Sequence, residues 1–341
     1  MTGTEGSPWW MQPPGAEERA QAATRLRGVL LETPLLESER LNDRLGGRVL
    51  VKAECLQHTG SFKARGAWNW LSQLDPAAAA GGIVALSSGN HGQAVAWAAR
   101  RLGLGPVTIL MPADAPAAKV ARTRAWGAVV VAYDRTSVDR AALMRHWVEE
   151  RRHVMVPAFD DRRIVAATST IATEALAQAA AVGATPTQMV VACSGGGLAA
   201  GCALALAAHP APVPLLAVEP EGFDDMGRSL AAGQRLANAP GATTICDALL
   251  SPIPGELCFG INHAQGTRAQ AVPDHLARAA MAAYFEYFGL VVEPGGALPL
   301  AALLGGPEGL RGRTVLIVAS GANTDKAVWL DAVSQDLPAA A

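Results

Sequence analysis

The stretch "TQMVVACSGGGLAAGCALALAAHP", Thr187 to Pro210, joins an apolar run to an alanine-rich run through one serine and three glycines. The apolar run is short enough for a strand, and the alanine-rich run favours a helix. A strand that is covered by helices on both faces lacks the polar–apolar alternation of a half-buried strand. The stretch therefore predicts a strand–turn–helix unit of a parallel sheet.

The same unit recurs through most of the chain. The apolar runs "GGIVALSS", "GPVTILMP" and "AVVVAYD" are each followed by a helical run, and "PLLAVEP" and "RTVLIVASGAN" also end in turn residues. Repetition of this kind predicts parallel strands joined by crossover helices. A chain of 341 residues is long enough for two domains.

The composition narrows the class of protein. Half of the residues are hydrophobic, 17% are charged and the net charge is −2, so we expect a compact fold and no nucleic-acid partner. No apolar run reaches the roughly 18 residues of a membrane span, and we expect neither a membrane partner nor a secretory signal. The five cysteines form no close pair in sequence. Their usage is typical of a reducing compartment, which predicts a cytoplasmic protein.

Polar turns follow three of the predicted strands. They lie at Ser194–Gly197, at Ser87–His91 in "SSGNHG", and around Ser320 in "VASGANTD". The carboxyl ends of parallel strands meet at one edge of a sheet, where ligands bind. Glycines before a helix also expose N–H groups to an anion, although a tight turn or a simple helix N-cap explains each turn taken alone.

The turns belong to an ordered set of motifs: "ETPLL", "TGSFKARGA", "SSGNHGQA", "SGGGLAAG", "AVEP", "VEPGGA" and "SGANTD". In this order they resemble the fold-type II pyridoxal-phosphate (PLP) enzymes, in the branch of threonine/serine dehydratases and serine racemases. The resemblance implies an α/β fold like that of the tryptophan synthase β subunit, with two lobes that are each an open, mostly parallel sheet flanked by helices. It implies a large PLP-binding domain at 1–81 and 158–341 and a small domain at 82–157.

The lysine of "TGSFKARGA" is the residue that forms the Schiff base with PLP in such families, so the resemblance makes Lys63 the cofactor lysine. The chain has only four lysines, and Lys63 follows the apolar Phe62. An apolar pocket lowers the pKa of a lysine because burial disfavours its charged form. A neutral amine is the form that acts as nucleophile and base.

The resemblance assigns the other cofactor contacts. Asn90 is expected to donate a hydrogen bond to the 3′-oxygen of PLP, and Ser320 to bind its pyridine nitrogen. The expected phosphate cradle consists of Ser194, Gly195, Gly196, Gly197 and Leu198.

The resemblance also implies the reaction. The substrate carboxylate would bind to Ser87, Ser88, Asn90 and His91, Ser251 would line the substrate pocket, and Lys63 would remove the α-proton. We expect a threonine or serine ammonia-lyase, in which β-elimination gives a 2-oxo acid and ammonia.

Three alternatives remain open at this point. Ser88 occupies the position of the second base in serine racemases, so racemisation is one alternative. Family glycines are replaced near the pocket, as at Ala248 and Ala322, which leaves hydroxyaspartate or a phenylserine-type substrate as another. A non-catalytic PLP-binding protein is the third.

A metal site and an assembly are also implied. Glu219, Asp225 and the carbonyl of Phe223 match the spacing of a divalent-cation site in racemase-like relatives, and hard oxygen ligands favour Mg²⁺ or Ca²⁺. A solvated acidic turn would give the same residues. Since such relatives are commonly dimers, we expect a homodimer.

Overall fold

The computed structural model describes residues 9–306, 310–335 and 337. Its strands are β1 Leu35–Glu37, β2 Arg48–Lys52, β3 Ile83–Leu86, β4 Val107–Pro112, β5 Val129–Tyr133, β6 Val154–Met155, β7 Gln188–Ala192, β8 Leu215–Pro220, β9 Arg268–Val272 and β10 Thr314–Val318. Its α-helices are α1 Ala16–Leu26, α2 Glu39–Leu45, α3 Lys63–Leu71, α4 Asn90–Leu102, α5 Ala117–Ala125, α6 Arg140–Arg145, α7 Arg162–Ala181, α8 Gly197–Ala207, α9 Asp225–Ala232, α10 Glu256–Ala264, α11 Asp274–Phe288, α12 Pro294–Leu304 and α13 Lys326–Val333.

The strands form two sheets. One has the order β1-β2-β10-β7-β8-β9 and the other the order β5-β4-β3-β6. All neighbours are parallel except β1 and β2, which pair antiparallel. The prediction of two open, mostly parallel sheets flanked by helices is therefore confirmed.

Both faces of the larger sheet are covered. Val315 and Ile317 of β10 belong to one buried apolar cluster, whereas Leu316 and Val318 belong to another on the opposite face. Successive side chains of a strand point to opposite faces, so an entirely apolar strand needs two covered faces. This is why the quoted strands are apolar at nearly every position.

The strands of the smaller sheet all lie within the predicted small domain. They run from Ile83 in β3 to Met155 in β6, and the strands of the larger sheet lie outside residues 82–157. Helices α3 and α7, from outside that range, contribute Ala67 and Ile164 to the apolar cluster that packs on the smaller sheet. The domain boundaries themselves stay a prediction.

No helix in the part of the chain that the structure describes is long and apolar enough to cross a membrane. The five cysteines are free and buried.

Candidate active site

A cavity of about 590 Å³ lies at the carboxyl ends of strands from both sheets. Each predicted cofactor or substrate residue lines it, from Phe62 and Lys63 through the Ser87–His91 turn to Ser251 and Ser320. The sheet topology explains part of this convergence, because β7 and β10 are neighbouring parallel strands that end at polar turns, whereas the turn after β3 comes from the smaller sheet. Of the predicted metal residues, only Phe223 lines the cavity.

Lys63 is the first residue of α3, and its side chain points into the cavity. Its Nζ donates a 2.7 Å hydrogen bond to the carbonyl oxygen of Ala158 and lies 5.2 Å from the centroid of the Phe62 ring. Burial lowers the pKa of Lys63 to about 8. At pH 7 about one tenth of this amine is therefore uncharged, far more than for an ordinary lysine, and the uncharged form is the one that a nucleophile or base requires.

The glycine turn between β7 and α8 presents free donors to the cavity. The backbone N–H groups of Gly195, Gly196, Gly197 and Leu198 donate to no acceptor among the described residues. They stand at the N-terminus of an 11-residue helix, where the helix dipole adds partial positive charge. This arrangement suits a phosphate group.

Packing explains why these positions are glycine. Gly196 has φ = 94°, a conformation that side chains rarely adopt. A Cβ on Gly195 would lie 2.4 Å from Cζ of Phe159, and one on Gly197 would lie 2.8 Å from Cβ of Phe159. Glycine here keeps the turn close to Phe159 and leaves the opposite side open to the cavity.

The Ser87–His91 turn also combines internal bonds with free donors. The Oγ of Ser87 accepts hydrogen bonds from the N–H groups of Gly89 (3.0 Å) and Gly92 (2.9 Å). The backbone N–H groups of Ser88, Asn90 and His91 donate to no other described residue. Three free donors at the start of α4 fit a carboxylate, although the hydroxyl of Ser87 already serves the turn as an acceptor.

The side chain of His91 is turned away from such a role. Its Nε2 lies 3.0 Å from the carbonyl oxygen of Val156, so Nε2 must carry the hydrogen. Burial, reinforced by the charge of Lys63, lowers the pKa of His91 to about 3. The neutral ring has no second N–H to offer a ligand, so only the backbone N–H of His91 is available as a donor.

The predicted site serines differ in the hydrogen bonds that their hydroxyl groups make. Ser88 makes only a long 3.4 Å hydrogen bond to the carbonyl oxygen of Asp247. The Ser320 hydroxyl bonds to no described residue, while its backbone carbonyl accepts a 3.1 Å bond from the N–H of Phe62. Ser194 accepts a 3.1 Å bond from the N–H of Ser251, which ties the glycine turn to the predicted substrate wall. Ser88, Ser251 and Ser320 are therefore the predicted serines whose hydroxyl groups make at most one long hydrogen bond to described residues.

Sequence reasoning missed a cluster of charged side chains in the cavity wall. Lys119 of α5 is 1% exposed, and its Nζ lies 2.5 Å from Oδ2 of Asp247 and 3.4 Å from Oε2 of Glu293. The other oxygen of Glu293 accepts a 2.5 Å bond from Asn90. Burial raises the pKa of Glu293, and the charge of Lys119 opposes that rise. Lys119 is one of only four lysines in the chain, so the rarity of lysine that drew attention to Lys63 applied to Lys119 as well.

The two carboxylates of the predicted cation site, Glu219 and Asp225, lie outside the cavity, near the start of α9. Glu219 accepts hydrogen bonds from the N–H groups of Met226 (2.9 Å) and Gly227 (2.8 Å). Asp225 Oδ1 accepts a 2.7 Å bond from Asn238, whereas Asp225 Oδ2 is buried without a partner. No group of three His, Cys, Asp or Glu side chains suited to a metal occurs in the described ranges. The orphaned Oδ2 fits a cation ligand, and the site stays a prediction.

Known proteins share this architecture along nearly the whole chain. The family model described as "Pyridoxal-phosphate dependent enzyme" matches residues 26–321. The L-threo-3-hydroxyaspartate ammonia-lyase of Pseudomonas sp is 39% identical over 92% of this chain and 97% of its own length. The serine racemase of Schizosaccharomyces pombe is 34% identical over 92% of this chain and 95% of its own length.

A solved structure agrees with these matches. A threonine deaminase from T.th. is 38% identical, and its crystal structure superposes with a TM-score of 0.82 over 92% of this chain and 99% of that one. Matches of this extent and identity confirm the resemblance drawn from the motifs. The chain belongs to the pyridoxal-phosphate-dependent enzymes of fold type II, in the group that contains amino-acid ammonia-lyases and racemases.

Proposed function

We propose that the chain is an ammonia-lyase that converts a β-hydroxy amino acid to a 2-oxo acid and ammonia, with 3-hydroxyaspartate preferred over threonine and serine. The preference is supported by two arginines at the cavity, Arg135 and Arg140. It is also supported by the name of the Pseudomonas relative, which is an ammonia-lyase for that substrate.

The cavity residues fit PLP. The free N–H groups of Gly195–Leu198 suit its phosphate, the unpaired hydroxyl of Ser320 suits its pyridine nitrogen, and the amine of Lys63 suits its aldehyde. Bound PLP supplies an electron sink that makes the Cα–H bond of an attached amino acid acidic. The remaining tasks fall to the side chains and backbone groups of the protein.

Those tasks follow from the geometry of the site. The N–H groups of Ser88, Asn90 and His91 hold the α-carboxylate at the N-terminus of α4. The neutral Nζ of Lys63 takes the proton from Cα, since burial keeps its pKa near the operating pH. The proton taken from Cα and the β-hydroxyl together account for the water that is lost, and addition of water at the former Cα with cleavage of its C–N bond releases ammonia. From 3-hydroxyaspartate the product is oxaloacetate.

The two arginines carry the substrate preference. Arg140 begins α6, is exposed, and forms no hydrogen bond or ion pair with another described residue. Arg135 donates a 2.9 Å hydrogen bond to Asp114, which offsets its charge. A free guanidinium at the cavity matches a second carboxylate on the β-carbon, which threonine and serine lack. We therefore assign the β-carboxylate to Arg140.

Racemisation is the second candidate, and Ser88 is the observation that favours it. Its hydroxyl makes only the 3.4 Å bond to the carbonyl of Asp247, so it remains free to exchange a proton with a substrate. Lyase and racemase activities share the removal of the α-proton by Lys63. They differ in whether the β-hydroxyl leaves before the proton returns.

A substrate screen of the PLP-loaded protein tests the proposal. We expect 2-oxo acid to form faster from L-threo-3-hydroxyaspartate than from L-threonine or L-serine, with D-enantiomer as a minor product. Predominant D-enantiomer would favour the racemase. PLP uptake without product from any amino acid would favour a non-catalytic binder, and failure to take up PLP would overturn the proposal. A divalent cation, a homodimer and a cytoplasmic location remain parts of this proposal.

A further inference from the structure

Asn90 makes two hydrogen bonds inside the protein through its side-chain amide. Its Oδ1 accepts a 2.8 Å bond from Nδ2 of Asn323, and its Nδ2 donates a 2.5 Å bond to Oε1 of Glu293. The Nδ2 group carries a second hydrogen, and Asn90 lines the cavity. In this orientation a ligand at Asn90 meets an N–H donor. Rotation of the amide by 180° would present the carbonyl oxygen there instead.

Glu293 alone does not fix this orientation. Its side chain is 1% exposed, and burial raises its pKa. An ionised carboxyl group accepts a hydrogen bond from Nδ2 of Asn90, but a protonated one would donate equally well to Oδ1. The Asn323 side, in contrast, sets the orientation in either protonation state of Glu293.

Two groups of fixed polarity hold Asn323. Arg122, which only donates hydrogen bonds, contacts Oδ1 of Asn323 at 3.0 Å. The backbone carbonyl of Thr59, which only accepts, receives a 2.8 Å bond from Nδ2 of Asn323. Reversal of the Asn323 amide would place its Nδ2 against the Arg122 donor and its Oδ1 against the Thr59 carbonyl oxygen, so both hydrogen bonds would be lost. Asn323 is 4% exposed, so water cannot readily compensate.

We propose that Asn323 is a positioning residue: held by Arg122 and Thr59, it fixes the amide of Asn90 so that the cavity is offered an N–H donor and never an acceptor. The inference rests on the proposed function, in which that donor meets the 3′-oxygen of PLP. An oxyanion bound there is stabilised by the donor and would be repelled by a carbonyl oxygen. Arg122 lies on α5 beside the smaller sheet, so the polarity of this cofactor contact is set from outside the cavity.

The substitution Asn323→Asp tests the proposal. A carboxylate still accepts from Arg122 but has no N–H for Asn90, so the Asn90 amide turns its Nδ2 to the carboxylate and its oxygen to the cavity. We expect PLP to bind at least about tenfold more weakly, because a hydrogen bond to a charged acceptor is lost. We also expect the pH midpoint of the visible band of bound PLP to rise, since the anionic form loses its donor. A purely structural defect would not move that midpoint.

Variants of two exposed arginines on α5 provide a second test and its controls. Arg122 is exposed, so Arg122→Met keeps the fold and should weaken PLP binding in the same direction, to a smaller extent. Arg122→Lys retains a donor and should restore the wild-type affinity and midpoint. Arg124→Met removes an exposed charge from the same helix that bonds to no other described residue, and should have no effect.

The outcomes separate this inference from the proposed function. Suppose that Asn323→Asp and Arg122→Met both bind PLP with the affinity of the wild type and with the same pH midpoint of the visible band. That result would overturn the positioning role and leave the enzyme assignment intact. If Asn323→Asp unfolds, Arg122→Met decides alone by the same two measurements. A wild-type protein that binds no PLP would overturn both.

Discussion

The Nζ of Lys63 donates its hydrogen bond to the carbonyl oxygen of Ala158, 2.7 Å away. A backbone carbonyl carries no net charge, so this contact holds the amine in place without an ion pair. Burial is consequently the largest influence on Lys63, and it lowers the pKa to about 8. Lys119, by contrast, contacts two carboxylates, and its pKa is raised. The two cavity lysines therefore differ in pKa because their acceptors differ.

Replacement of Lys63 should abolish turnover. For Lys63→Ala we expect kcat/KM to fall by at least about 1000-fold, since the proposed general base and the proposed point of cofactor attachment are lost together. The visible absorbance band of bound PLP should shift or disappear, as measured by spectroscopy after dialysis. Lys326→Ala, which removes an exposed lysine, is the matched control and should behave as wild type. A Lys63→Ala protein with normal turnover would remove Lys63 from the mechanism.

The lowered pKa of Lys63 predicts how cofactor loading depends on pH. Only the neutral amine attacks the PLP aldehyde, so the rate of PLP uptake by the apoprotein should rise with pH and level off above about 8. Between pH 7 and pH 8 the neutral fraction increases from about one tenth to about one half, which predicts an increase in rate of about fivefold. Stopped-flow absorbance measures this rate. A rate that climbs steadily to pH 10 would indicate an ordinary, solvated lysine.

The fold and the polar turns that line the cavity could be predicted from sequence because each depends on a local pattern. Apolar runs such as Val315–Val318 identify strands covered on both faces, and the glycines at 195–197 identify the turn that follows β7. The ordered motifs then identified the family. Convergence of the turns after β7 and β10 followed from their parallel arrangement in one sheet, whereas the meeting of these turns with the one after β3 depends on how the two sheets pack.

The contacts between side chains in the cavity wall could not be predicted from local patterns. Lys119 reaches Asp247 and Glu293 across 128 and 174 residues of sequence. Nor does any local pattern show that His91 turns its Nε2 to Val156, because the histidine of the turn has the same sequence context whichever way its ring faces. Orientation and pairing depend on the packing of both sheets, which periodicity does not encode.

Close packing of the glycine turn predicts that Gly195→Ala is destabilising. The added Cβ would lie 2.4 Å from Cζ of Phe159, so the turn or the ring must move. We expect the free energy of unfolding to fall by about 1–3 kcal/mol, together with weaker PLP binding. Chemical denaturation and PLP titration measure the two effects. Gly260→Ala in α10 is the control, because its Cβ meets nothing within 4 Å and alanine favours a helix.

The double variant Gly195→Ala/Phe159→Leu refines this test. A smaller side chain at 159 makes room for the Cβ and should recover part of the stability relative to Gly195→Ala. No recovery would mean that Phe159 is not the source of the strain.

The assignment of Arg140 predicts a change in substrate preference. For Arg140→Ala we expect kcat/KM for 3-hydroxyaspartate to fall by about tenfold, while kcat/KM for threonine changes by less than about twofold, because only the former substrate has a second carboxylate. Steady-state assays of 2-oxo acid measure both. Arg145→Ala, at the other end of α6, removes an exposed charge away from the cavity and is the control. An equal fall in kcat/KM for both substrates would show that Arg140 does not bind the second carboxylate.

The buried Oδ2 of Asp225, which has no hydrogen-bond partner, predicts that a divalent cation stabilises the protein. A cation bound by Glu219, Asp225 and the carbonyl of Phe223 would supply that missing partner. At a concentration of about 100 times its dissociation constant, Ca²⁺ or Mg²⁺ should add about 2.7 kcal/mol to the free energy of unfolding of chelator-treated protein. Asp225→Asn should remove this gain, whereas Asp224→Asn, which alters the neighbouring acid paired with Arg228, should keep it. Unfolding curves that are identical with and without either cation would exclude the site.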